Sequence, residues 1–103
     1  MLTFNTGPED GPGHLQTIRQ HYVFLIDYLE VKHSGLVAEL FQAGVLNRRE
    51  CETIGSEVTS FTQNEKLLSM LSHKTKDQFD KFLDALDKTM QRHVRNQITG
   101  RKG

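Results

Sequence analysis

Residues 35–54 read GLVAELFQAGVLNRRECETI, and their division into elements decides the fold. Leu36, Val37, Leu40 and Phe41 recur at the three-and-four spacing that gathers side chains on one face of a helix. Ser34 immediately before them is a suitable N-cap, and Gly44 after them can supply the left-handed residue that commonly ends a helix. Asn47 followed three positions later by Glu50 has the shape of a capping box, so a further helix is expected to open inside the same stretch. Cys51, Ile54 and Val58 continue it at inward spacing, while Val45 and Leu46 fall in the connection as apolar plugs. Two short amphipathic helices joined by a tight turn are the expected result.

The flanking sequence repeats the pattern. Before the stretch, Leu15, Ile18, Tyr22, Leu25, Ile26 and Leu29 predict a first helix over about 14–31. After it, Ser60 or Thr62 can cap a fourth helix with Leu67, Leu68 and Leu71 inward. Thr75 with Gln78 opens a fifth, with Phe79, Phe82, Leu83 and Leu86 inward and Asp80, Lys81, Asp84 and Lys88 toward water. Met90, Val94 and Ile98 mark a sixth. No alternating run bounded by turn signals predicts a strand. Six short helices with apolar stripes can bury them only against one another, so an all-α, six-helix antiparallel bundle is expected.

The 103 residues suffice for one domain with one core. Both prolines and three of the eight glycines lie within residues 1–13, which reads as a flexible leader ahead of a bundle over 14–100 and a basic tail over 101–103. The opening has no basic start or apolar run of the secretory kind, and no segment is apolar enough to predict a membrane span. A cytoplasmic protein without a membrane partner is therefore expected.

Little in the chain supports catalysis. Cys51 is the single cysteine, flanked by Arg48 and Arg49, which could lower a thiol pKa. Its place at inward helical spacing instead makes it a small core hydrophobe. The five histidines show no pair at three or four spacing that would offer a metal two ligands from one helix, and surface positions are expected for them. Neither a phosphate-binding glycine loop nor a nucleophile motif occurs. No catalytic, metal or cofactor residue is expected, and the chain is read as a non-enzyme.

Charge is more informative. Up to Ser60 the chain carries 8 acidic and 4 basic residues, and from Phe61 onward 5 acidic and 9 basic, so a neutral total hides a dipolar distribution. Glu39, Glu50, Glu52 and Glu57 could form an acidic face. Opposed faces on one small module favour head-to-tail contact with a like module, which does not close on itself and can repeat. The alternative is a helical nucleic-acid-binding domain using Arg92, Arg95, Arg101 and Lys102, although its cations are spread over several helices and interleaved with aspartates.

The order and spacing of these elements from Leu15 to Gly100 resemble the caspase recruitment domain (CARD) of the death-domain superfamily. The resemblance is carried by LQTIRQHYVFLIDYLEV, by GLVAELFQAGVLNRRECETI, and by NEKLLSMLSHKTKDQFDKFLDALDKT with its Leu-Leu pair and Phe-x-x-Phe-Leu-x-x-Leu pattern. It implies a Greek-key bundle without catalytic activity, pairing with other CARDs in apoptotic or innate immune signalling. In the family, acidic residues of the second and third helices commonly meet basic residues of the first and fourth. By that match Glu39, Glu50 and Glu52 take the acidic side, and Arg19, Lys32 and Lys66 the basic side. The ending from Ile98 to Lys102 is similar to that of filament-building coiled-coil scaffolds; a caspase prodomain, a sensor and a small adaptor stay open. The basic end is read as the edge of an N-terminal piece of a longer protein.

Overall fold

The computed structural model describes residues 13–100. The leader expected over 1–13 and the tail expected over 101–103 lie outside these residues, except for Gly13, which opens the first helix. The described residues form seven α-helices and no strand: α1 (Gly13–Gln20), α2 (Tyr22–Tyr28), α3 (Leu36–Gln42), α4 (Arg48–Gly55), α5 (Ser60–Leu71), α6 (Lys76–Lys88) and α7 (Arg92–Thr99). The class is the expected one, and the count differs because the first helix is in two pieces. Besides the neighbours in sequence, α1 packs against α6 and α7, α2 against α5, and α3 against α6. These long-range pairings close the bundle in the manner of a Greek key rather than a simple up-and-down array.

The break falls at His21, with φ −114° and ψ 20°, and owes nothing to proline or glycine. A straight helix would carry Tyr22 on the same face as Ile18. The interruption lets α2 turn so that Leu25 and Ile26 enter the core while Tyr22 stays 40% exposed. Tertiary packing against different neighbours thus overrides a periodicity that reads as continuous. His14 also departs from the surface placement expected of the histidines: it is buried on the face of Ile18, and its ring stacks on Phe79 at 5.3 Å.

The junction between α3 and α4 forms largely as its residues dictate. Gly44 adopts φ +81°; its N–H donates to Phe41 O at 3.1 Å, and Val45 N–H to Leu40 O at 2.9 Å, which satisfies the last carbonyls of α3. Val45 and Leu46 are buried beneath the turn. Asn47 and Glu50 complete a reciprocal capping box, as do Thr75 and Gln78 at the start of α6. Thr59, rather than Ser60 or Thr62, caps α5. At α3 the N-cap is Gly35, and Ser34 acts one position earlier, its Oγ accepting from Leu36 N–H at 3.1 Å.

Besides Tyr22, three residues placed inward by periodicity are exposed: Phe41, Val58 and Met90. Val58 is 81% exposed because α4 stops at Gly55, and the helical phase stops with it. Met90 is 87% exposed at φ +66°. Its N–H donates to Asp87 O, and Gln91 N–H donates to Leu86 O at 2.7 Å, so the end of α6 repeats the geometry that Gly44 gives α3. With a side chain present, the left-handed conformation costs about 1–2 kcal/mol.

Two buried polar side chains tie distant segments together. Asn64 Nδ2 on α5 donates to the carbonyls of Ile26 and Leu29, both at 2.9 Å, at the end of α2. Gln91 pairs with the backbone of Glu30 from both ends of its amide: Glu30 N–H donates to Oε1 and Nε2 donates to Glu30 O, each at 2.8 Å.

Candidate interaction surface

The expected acidic face begins on α4, where Glu50 proves to be occupied within the fold. Both its oxygens accept from Lys74 Nζ at 2.9 Å, and Oε1 also accepts from Asn47 N–H at 3.0 Å. Lys74 reaches it from the connection between α5 and α6, and only about a fifth of either side chain is exposed. Burial alone would raise the Glu50 carboxyl, but the Lys74 and Asn47 hydrogen bonds and the Lys74 charge outweigh it and lower the pKa. A depressed folded pKa contributes stability that is complete above the unfolded value, about 4.3 for Glu, and lost as pH falls through the folded value. Lys74→Met is therefore expected to cost about 1–2 kcal/mol at pH 7. Urea denaturation from pH 7 to pH 3 should show the gap from wild type closing below about pH 4.

Cys51 sits half-buried against the core. Burial, joined by the Glu50 and Glu52 charges, pushes its thiol pKa up. That is opposite to what the neighbouring arginines would do to a nucleophile.

Beside Cys51 runs a shallow groove of about 430 Å³ between α3 and α4, lined by Val37, Ala38, Phe41, Arg48, Cys51 and Glu52. Helical spacing builds it: Val37 and Phe41 are one turn apart on α3, and Arg48 and Glu52 one turn apart on α4. Phe41, expected inward, is 49% exposed in this groove. Its floor is apolar, and its rim holds one cation and one anion.

The remaining carboxylates are dispersed. Glu39 lies in a second groove, between α3 and α6, with Lys81, Asp84 and Lys88. Glu57 lines a third, between α2 and α5, together with Tyr22, Glu65 and Lys66. The acidic Glu57 and the basic Lys66, assigned to opposite faces in the sequence, thus share one concavity. Lys32 reaches toward the connection before α5, its Nζ donating to Val58 O at 3.4 Å, and Arg19 is exposed at the end of α1. Sequence reasoning counted Lys74 among the basic residues of the C-terminal half but missed its pairing with Glu50, 24 positions away with no local signal linking them. It also missed the groove, although the one-turn spacing of Arg48 and Glu52 was there to be read.

The nucleic-acid reading finds no support here. Arg95 is paired with Asp87 and lies 3.9 Å from Asp84, while Arg92 Nε approaches Asp87 at 3.5 Å. Arg101 and Lys102 lie outside the described residues. Among the described residues no cluster of His, Cys, Asp or Glu gathers that could hold a metal ion. No helix there is long and apolar enough to cross a membrane.

No solved structure matches the chain. A family model described as CARD, caspase recruitment domain, matches residues 15–101, from the third residue of α1 to just past the end of α7. Members of that family are interaction modules, generally non-catalytic, that bind other CARD-containing proteins homotypically. An all-helical bundle closed by long-range helix pairings agrees with that match, and the chain belongs to the caspase recruitment domain family.

Proposed function

We propose that this domain recruits CARD-containing proteins, such as an adaptor, caspase or scaffold, in cytoplasmic apoptotic or innate immune signalling. The rim of the α3–α4 groove acts as one contact face, and assembly can extend head-to-tail. The observation that carries this reading is the division of labour on α4. Lys74 holds Glu50 inside the fold, while Glu52 stands exposed with Arg48 beside an apolar floor. Glu52 is the leading carboxylate for a partner's cation, with Glu39 and Glu57 flanking in their own grooves. Arg19, Lys32 and Lys66 offer positive charge to the acidic face of the next domain, Lys66 from the groove it shares with Glu57.

Glu52→Lys tests this without disturbing the core. Against a panel of CARD-containing chains that includes this one, at least one interaction should weaken by about tenfold or more, mainly through charge repulsion at the rim. The circular-dichroism melt should stay as in wild type. Unchanged binding to every chain that the wild type binds would remove the groove rim from the contact.

A further inference from the structure

Three helices of the bundle end on a left-handed residue: α3 on Gly44 at φ +81°, α7 on Gly100 at φ +76°, and α6 on Met90 at φ +66°. At the first two the strain is removed by the absence of a side chain. At Met90 it is retained, and the long apolar side chain it accompanies is 87% exposed, so burial within the fold returns little for it. A position that breaks two local rules without gain inside the bundle points to a use outside it.

We propose that Met90 is a docking knob that seats in the α3–α4 groove of a second copy of this chain. The inference rests on the homotypic reading above and, for self-association, seats Arg92 rather than Arg19, Lys32 or Lys66 against Glu52. An unbranched, polarisable thioether suits an irregular apolar groove with an exposed aromatic wall, which here is Phe41. Charge selects the partner as a copy of the same chain. Asp87 and Arg92 border the concavity at Met90, with His93 beside them, and Arg48 and Glu52 border the receiving groove. One docking direction sets Arg92 against Glu52 and Asp87 toward Arg48. Arg92, 73% exposed, can exchange its 3.5 Å approach to Asp87 for Glu52, whereas Asp87 remains held by Arg95. The knob lies at the α6–α7 junction and the groove between α3 and α4, so the contact joins unlike faces and leaves each copy able to take another.

Met90→Gly separates the two roles of the residue. It should raise Tm by about 4 °C or more by relieving the left-handed strain, and it should weaken self-association at least tenfold in sedimentation-velocity experiments over a concentration series. Arg92→Glu and Glu52→Arg should each weaken it comparably, and the double variant, which exchanges the charges of the 92–52 pair at each interface and leaves Asp87 and Arg48 as they are, should recover to within a few fold of wild type. Association indifferent to Met90→Gly, or a double variant no better than the single variants, overturns the contact while the homotypic reading stands. A wild-type chain that stays monomeric also overturns it. If that monomer binds other CARD-containing chains in the panel, the reading survives; if it binds none, both fall.

Discussion

Asn64→Asp is expected to destabilise the domain by about 3–5 kcal/mol at neutral pH, the range for a buried charge left without a partner. Asn64 is 1% exposed, and its Nδ2 serves the last carbonyls of a helix that is only seven residues long. Helix-end carbonyls that lose their donor inside a protein carry a full desolvation penalty. A carboxylate would set acceptor against acceptor in the same space, with no cation to relieve it. Such a group has a raised folded pKa, so its deficit should be largest at high pH and shrink as the solution is acidified and the carboxyl gains a proton to donate. Asn64→Leu removes the donor without adding charge and should cost about 1–3 kcal/mol, independent of pH. Urea denaturation of both variants at pH 7 and pH 5 checks the pair. An aspartate variant as stable as wild type would mean that the end of α2 does not depend on this amide.

Phe82→Ala should cost a comparable amount, about 3–5 kcal/mol. Its ring is fully buried on α6, and it packs on Phe79 at 5.5 Å. Because α6 contacts α1, α3 and α7, the cavity would open where rigid elements meet and little can collapse into it. The neighbouring Leu83 is a useful control: it is only half-buried against the same core, and its truncation should cost clearly less. Equal losses at the two positions, in urea midpoints at constant slope, would contradict the packing of α6. Natural domains are stable by about 5–15 kcal/mol, so either core variant should lie near the edge of folding at 37 °C.

What could be read from the sequence was local. The capping boxes at Asn47 and Thr75 are contained within four consecutive residues, and the α6 stripe repeats within a single helix. Gly44 marks its turn by composition alone. The features that escaped depend on segments far apart in the chain. The break at His21 follows from α1 and α2 docking on different helices, and neither residue type nor spacing announces it. Met90 carries no signal because a left-handed helix end normally shows itself as glycine. At the candidate site Glu52 was identified from its charge. Glu50 was counted beside it because nothing local says that Lys74 will claim it, and the apolar floor under the rim appears only when α3 and α4 are laid together.

The pairing of Gln91 with the Glu30 backbone has a consequence for the order in which the chain is made. It joins positions 61 apart, and its lower half anchors the connection that leads from α2 into α3. On a ribosome that connection emerges well before its partner, and while only the N-terminal part has left the exit tunnel the Glu30 N–H has only water to bond, its C=O being shared with the nearby Ser34 hydroxyl at 2.6 Å. The two bonds from Gln91 to the segment ahead of α3 therefore form only when the α6–α7 connection arrives. A nascent or truncated chain ending before Gln91 carries all of α3 and α4 without that tie.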